Sequence, residues 1–111
     1  MATLCMLKQN KEFRAAYYRG KVFIHPLLVL YVRKNGRRGP RLGITTGKKI
    51  GKAVQRNRCR RIIREAFRQL SPRITGSWDF VFVARKATLG STSTQLYGVM
   101  QQLLTKAGIP L

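Results

Sequence analysis

Apolar positions along this chain recur with two different periods, and the switches between them mark out its elements. Over residues 10–20, Phe13, Ala16 and Tyr17 fall at helical spacing, with Asn10 placed to cap the segment and Gly20 to end it. Residues 22–24 read as a brief strand, His25-Pro26 as a break, and 27–34 as a longer strand rich in branched side chains. Alternation puts Leu28, Leu30 and Val32 on one face of it and Val29, Tyr31 and Arg33 on the other, the wetter one. Residues 35–40 form a Gly- and Arg-rich turn into a strand over 41–46, which suggests an antiparallel hairpin with the preceding strand. After a loop at 47–51, a helical pattern runs over 53–70 and is closed by Ser71-Pro72. A fourth strand at 78–84, a connection at 85–91 and a last helix at 92–107, ending at Gly108, complete the chain.

The order αβββαβα implies an α+β fold, a four-stranded sheet with helices packed on one side and the other side open to a ligand. With 111 residues there is room for one hydrophobic core, so residues 1–111 are expected to form a single domain. A hydrophobic share of 44% opposes wholesale disorder, because enough apolar surface is present to offset chain ordering.

Charge changes the picture most. Lys and Arg number 23 against 3 acidic residues, a formal net charge of +20. Such an excess repels itself in a small domain and calls for a polyanionic partner, nucleic acid before any other. A membrane surface would require a long amphipathic helix or an apolar anchor, and neither stands out. The N-terminal stretch has no apolar run of signal-peptide length and no segment reaches about 18 apolar residues, so the expected location is cytoplasmic. Cys5 and Cys59 are too few for a zinc site and too far apart for a CxxC pair, so both are expected as free thiols, Cys59 as a buried small residue.

On a helical wheel, Cys59, Ile62, Ile63, Ala66, Phe67 and Leu70 gather on one arc, which is core. Arg56, Asn57, Arg60, Arg61, Arg64 and Arg68 fall on an adjoining arc, with Arg58 and Glu65 further round. A merely solvated face mixes signs, whereas Arg56, Arg60, Arg64 and Arg68 repeat at i+4 and repel one another. The planar guanidinium fork donates two hydrogen bonds to one phosphate, and Asn57 within the run can bond a base edge or a 2′-hydroxyl. Just upstream, Lys48, Lys49 and Lys52 sit among Gly47 and Gly51 at the helix entrance, a candidate phosphate cradle. It is not a Walker loop, since neither Gly43 nor Gly47 is followed at the required spacing by Gly-Lys-Ser/Thr.

The run Arg41-Leu42-Gly43-Ile44, then Lys48-Lys49-Ile50-Gly51, Arg56-Asn57-Arg58 and Arg61-Ile62-Ile63-Arg64-Glu65-Ala66-Phe67 resembles the signature of the bacterial ribonuclease P protein family. Glu12-Phe13 near the start, Arg85-Lys86 after the fourth strand, the element order and the length agree as well. Gly47 stands where many relatives have Ser, and Cys59 where an aliphatic is usual. The resemblance implies a ribonucleoprotein subunit that assists removal of the 5′ leader from precursor tRNA, with the catalytic site and its Mg2+ ions held mainly by the RNA subunit and no metal bound by the protein alone. Carried over, Lys48, Lys49, Lys52, Arg56, Asn57, Arg58, Arg60, Arg61, Arg64 and Arg68 would contact the catalytic RNA. Phe13, Tyr17, Tyr31 and Arg33 would line a cleft for the single-stranded leader. The implied partners are the catalytic RNA and precursor tRNA, with no membrane and no obligate protein partner.

Catalysis by the chain alone is disfavoured on its own residues. The acidic side chains are Glu12, Glu65 and Asp79 and the one histidine is His25, too few for clustered carboxylates or a histidine pair. Glu65 reads as a local ion-pair partner of the arginines, and His25 before Pro26 as a turn residue. Two other readings stay open on residues alone: an RNA-scaffolding protein such as a ribosomal one, and DNA binding through the basic helix, against which the absent helix-turn-helix spacing counts.

Overall fold

The computed structural model describes residues 5–36 and 39–111, so Arg37 and Arg38 of the turn at 35–40 lie outside the described residues. The elements follow in the order β1 (Cys5–Met6), α1 (Asn10–Arg19), β2 (Lys21–Ile24), β3 (Leu28–Lys34), β4 (Arg41–Thr45), α2 (Ala53–Leu70), β5 (Trp78–Ala84) and α3 (Ser93–Lys106). Short 3-10 turns occupy Lys48–Ile50, Ser71–Arg73 and Lys86–Gly90.

The sheet has five strands, in the order β1-β4-β5-β3-β2, where the sequence pattern predicts four. The extra strand is two residues long, Cys5 and Met6 running parallel to Arg41 and Leu42, too short for any alternation to register. The expected hairpin between β3 and β4 does not form. Instead β5 lies between them, antiparallel to β3 from Leu28↔Ala84 to Lys34↔Trp78 and parallel to β4 from Arg41↔Asp79 to Thr45↔Val83. The cause is the composition of β5: Phe80, Val81 and Phe82 are all fully buried, and only an interior strand covered on both faces offers that environment. A parallel partner also needs a long crossover, which α2 provides between β4 and β5.

Helices lie on both sides of the sheet, not on one. Leu28, Leu30, Val32, Leu42, Phe80 and Phe82 face α2 and α3, and the main core fills that layer. The six residues gathered on the apolar arc of the wheel are the six buried residues of α2. Among them Phe67 stands between Phe80 and Phe82, with ring centroids 5.5 and 5.9 Å away. On the opposite face α1 covers the sheet, Ala16 buried against Val81 and Leu7, with Phe13, Tyr17, Tyr31 and Val83 packed around them. The second layer exists because Val81, Val83 and Tyr31 give this face apolar surface of its own, which a one-sided arrangement would leave wet.

Local chemistry sets the helix ends. The cap of α1 is Gln9, one residue before the expected Asn10, and the Glu12 carboxylate accepts the N–H groups of Lys8 (3.2 Å) and Gln9 (3.1 Å). Thr92 and Gln95 cap α3 reciprocally, side chain to backbone in both directions. His25 is the turn residue expected, its Nδ1 accepting the N–H of Leu27 at 3.0 Å.

The α1 layer touches β4 where no side chain intervenes. A Cβ on Gly43 would stand 2.7 Å from Cε1 of Phe13 and 3.0 Å from Cδ1 of Leu7. Gly43→Ala is expected to cost about 1 to 3 kcal/mol by overpacking and to lift α1 from the sheet. Gly90→Ala, with nothing within 4 Å of its added Cβ, serves as the neutral control. Equal melting temperatures for the two variants would show that the close approach carries no such weight.

Candidate nucleic-acid interface

Helix α2 is amphipathic in a way that leaves its charge unanswered. Asn57, Arg58, Arg60, Arg61, Arg64 and Arg68 are exposed, and Arg56 is half-buried. Among the described residues the ion pair on this helix is Glu65 with Arg68, 3.6 Å apart and solvent-exposed, so it contributes little. The Nε of Arg56 is buried and has no hydrogen-bond partner among the described residues. A buried N–H without an acceptor is costly, and a phosphate or hydroxyl arriving from outside would satisfy it.

The loop before α2 presents its lysines by anchoring the residue after them. Ile50 is buried in the core while Lys48 and Lys49 on the same 3-10 turn are exposed, as is Lys52. Gly51 then turns with φ of 144°, a backbone that only glycine adopts freely, and a Cβ there would collide with Gln55. The Gln55 side chain in turn accepts the N–H of Lys52 at 2.8 Å, so this entrance N–H is already satisfied.

A groove of about 370 Å3 opens between α1 and the end of β4, lined by Asn10, Phe13, Tyr17, Thr45, Thr46 and Arg60 among others. The Tyr17 hydroxyl shares a 2.6 Å hydrogen bond with Thr45 Oγ1, and the Tyr17 ring meets Tyr31 edge-on, with centroids 4.8 Å apart. On its other wall Arg60 Nε donates to Thr46 Oγ1 at 3.1 Å. The arginine flank of α2 and the aromatic groove therefore meet at Arg60. Beyond Tyr31 the same sheet face continues across the register partners Val22↔Tyr31 and Ile24↔Val29 to an exposed apolar edge.

Of the sequence-predicted leader residues, Phe13 and Tyr17 line this groove and Tyr31 packs on Tyr17. Arg33 lines a different concavity, on the side of α1 near the end of β3. Asn10, Thr45 and Thr46 also belong to the groove, because β4 ends beside α1; nothing in their local pattern marks them for binding, Asn10 having the pattern of a helix cap.

Three of the chain's charged groups form a separate node. Asp79 is 1% exposed and receives the Arg41 fork at 2.8 and 2.9 Å, while the third guanidinium nitrogen of Arg41 reaches Glu12 at 2.6 Å. Asn35 adds a bond to Asp79 at 2.8 Å. Burial pushes the Asp79 carboxyl up, but the Arg41 guanidinium and the Asn35 amide outweigh it and hold it below the usual carboxylate range. Glu12 is likewise opposed by burial and held low by the N–H groups of Gln9 and Lys8 and by Arg41. Arg41 is raised, chiefly by its bonds to Asp79. Burial also raises the Cys59 thiol, so its thiolate is disfavoured, and Cys5 and Cys59 are both free.

Among the described residues no three His, Cys, Asp or Glu side chains stand together as metal ligands, and Glu12 and Asp79 both face Arg41. No helix among them is long and apolar enough to cross a membrane.

Together the basic helix, the lysine loop and the aromatic groove define a class: a basic α+β RNA-binding protein. Residues 1–108 match the family described as Ribonuclease P. The chain is 45% identical over 105 residues to the ribonuclease P protein component of Clostridium kluyveri, covering 93% of this chain and 94% of that one. The RNase P protein of Staphylococcus aureus superposes with a TM-score of 0.84 at 29% identity, covering 98% of this chain and all of that one. That of Thermotoga maritima, solved in complex with 1-(4-fluorophenyl)-2-thiourea, gives a TM-score of 0.77 at 29% identity over 87% of this chain and 95% of that one. The chain belongs to the ribonuclease P protein family, whose members are accessory subunits of the endoribonuclease that processes tRNA 5′ ends and associate with its RNA.

Proposed function

We propose that the chain holds the catalytic RNA on the arginine flank of α2 and its lysine loop, and the single-stranded 5′ leader of precursor tRNA in the groove of Phe13 and Tyr17 and on Tyr31 beside it. The observation that carries this reading is the continuity of the two surfaces at Arg60, which is on the flank and hydrogen-bonds the groove wall through Thr46. A leader held there emerges beside the RNA that would cleave it. On the RNA side, Lys48, Lys49, Lys52, Asn57, Arg58, Arg61, Arg64 and Arg68 are exposed and available to phosphates, and Arg56 offers its unpartnered Nε. On the substrate side, aromatic rings beside cations suit unpaired bases and their backbone.

The reaction itself is assigned to the RNA subunit. Magnesium, when bound, supplies the activated hydroxide and charge stabilisation of phosphodiester cleavage. The carboxylates here are not arranged for that ion, Glu12 and Asp79 being turned to Arg41 and Glu65 to Arg68. The chain's own contribution is binding and placement: aromatic groove for the leader, cationic helix for the RNA, and a cytoplasmic ribonucleoprotein as the setting.

The test uses the holoenzyme reconstituted with a bacterial ribonuclease P RNA at low magnesium. The protein should stimulate cleavage at the leader junction, and Tyr31→Ala should weaken precursor binding by about 5- to 150-fold, the value of one lost base stack. Mature tRNA binding should hold, and Tyr31→Phe should behave as wild type. Equal losses for precursor and mature tRNA would overturn the leader assignment.

A further inference from the structure

Away from the Tyr17 groove, at the end of β3, two concavities have no part in the function proposed above. One, of about 800 Å3, is lined by Arg14, Tyr18, Arg19 and Arg33 among others. The next, of about 390 Å3, shares Arg19 and Arg33 with it and continues to Lys34 and Trp78. They meet at Arg19 and Arg33 and form one basin that wraps the end of β3, from the α1 face round to Lys34 and Trp78 on the face shared with Val32 and the end of α3. We infer that this basin is a second binding site for single-stranded RNA, with phosphates on Arg19, Arg33 and Lys34 and a base on Tyr18.

Four observations converge on it. Tyr18 is 86% exposed on a helix that buries Ala16, so a large ring is presented to water where packing does not need it. Cations and aromatics interleave along the basin, Lys34 Nζ lying 5.6 Å from the Trp78 ring centroid, which is the pattern that tracks a backbone while stacking bases. The nearby carboxylates, Glu12 and Asp79, are turned to Arg41, and Glu65 pairs with Arg68 on α2, so the positive potential of the basin persists. Finally, Arg14 lines both this basin and the Tyr17 groove, so a strand leaving one can pass over it into the other. Single-stranded RNA reaches this place from two sources, upstream nucleotides of a long leader or an unpaired segment of the catalytic RNA. Only the leader source rests on the groove assignment made above.

The experiment measures three affinities of the reconstituted system: protein for catalytic RNA, and holoenzyme for precursors with a short and with a long leader. The variants are Tyr18→Ala and the pair Arg19→Gln with Lys34→Gln, all exposed positions whose melting curves should stay near wild type. Tyr18→Ala should weaken binding about fivefold or more, and the paired variant should flatten the dependence of log affinity on log salt by about 0.7 per lost cation. Loss confined to the long-leader precursor assigns the basin to the leader; loss in binding the catalytic RNA assigns it to that RNA. Unchanged affinities and slopes in all three arms would overturn the second site. Tyr31→Ala run in parallel separates the two ideas, because it should lower short-leader binding whether or not the basin is used.

Discussion

Arg41→Met is expected to destabilise the folded chain by about 3 to 5 kcal/mol, because it strands a buried carboxylate without its counter-charge. Asp79 is 1% exposed and the Arg41 side chain 12%, so water cannot replace the lost fork at Asp79. Domains of this kind have about 5 to 15 kcal/mol in total, so the variant should sit close to unfolding. Its pH dependence gives a sharper test than its magnitude. In the wild type Asp79 and Glu12 are held below their unfolded values, so their contribution is fully present above the ordinary carboxylate pKa and lost as pH falls through the folded one. Denaturant midpoints should therefore fall below about pH 4. Without Arg41, burial is opposed only by the Asn35 amide and the charge of Arg33, so the Asp79 carboxyl moves up and protonation should relieve the variant where it weakens the wild type. Parallel pH curves for the two proteins would show that the node does not carry this energy.

The second large effect is on binding. If α2 and the lysine loop engage about six phosphates, log affinity for the catalytic RNA should fall with log salt at a slope of about −4 to −5. Between 50 and 200 mM salt that is a loss of roughly 250- to 1000-fold. Replacing Arg60, Arg64 and Arg68 together by Ala should reduce the slope by about 2 to 3. The same triple variant should leave the free protein as stable or a few tenths of a kcal/mol more so, since like charges at i+4 spacing repel and the removed bonds to Glu65 and Thr46 are both exposed. Opposite signs for stability and binding distinguish a working surface from a structural one. A salt slope near zero would remove the electrostatic account.

What was legible in the sequence divides by distance along the chain. Helix α2 was readable from end to end, and its buried face matched residue for residue, because 3.6-residue periodicity is a local property. The aromatic pair Phe13 and Tyr17 could be placed on one helical face for the same reason. The position of β5 could not be read so directly, although Phe80-Val81-Phe82 carries the continuous apolar run of an interior strand; which neighbours it separates is decided by the crossover. The node was invisible because Arg41 meets Glu12 across 29 residues and Asp79 across 38, and each looks unremarkable in its own segment. Thr45 and Thr46 entered the groove, and Arg33 left it, according to how α1 lies across the sheet, which no pattern within α1 specifies.

The interior placement of β5 also orders assembly in time. During synthesis β3 emerges early, yet its long partner is the last strand made, with Leu28 waiting for Ala84 and β4 waiting for the same segment on its other edge. Until then both strands expose unpaired backbone, and the loop closures that seat β5 come before any hydrogen bond it makes. Folding of this chain should therefore be slow for its size and should complete only after α2 has docked, since pairings of high sequence separation set the rate. The final third of the polypeptide is the keystone, and nascent chains cut short before Ala84 are the ones most exposed to edge-to-edge association.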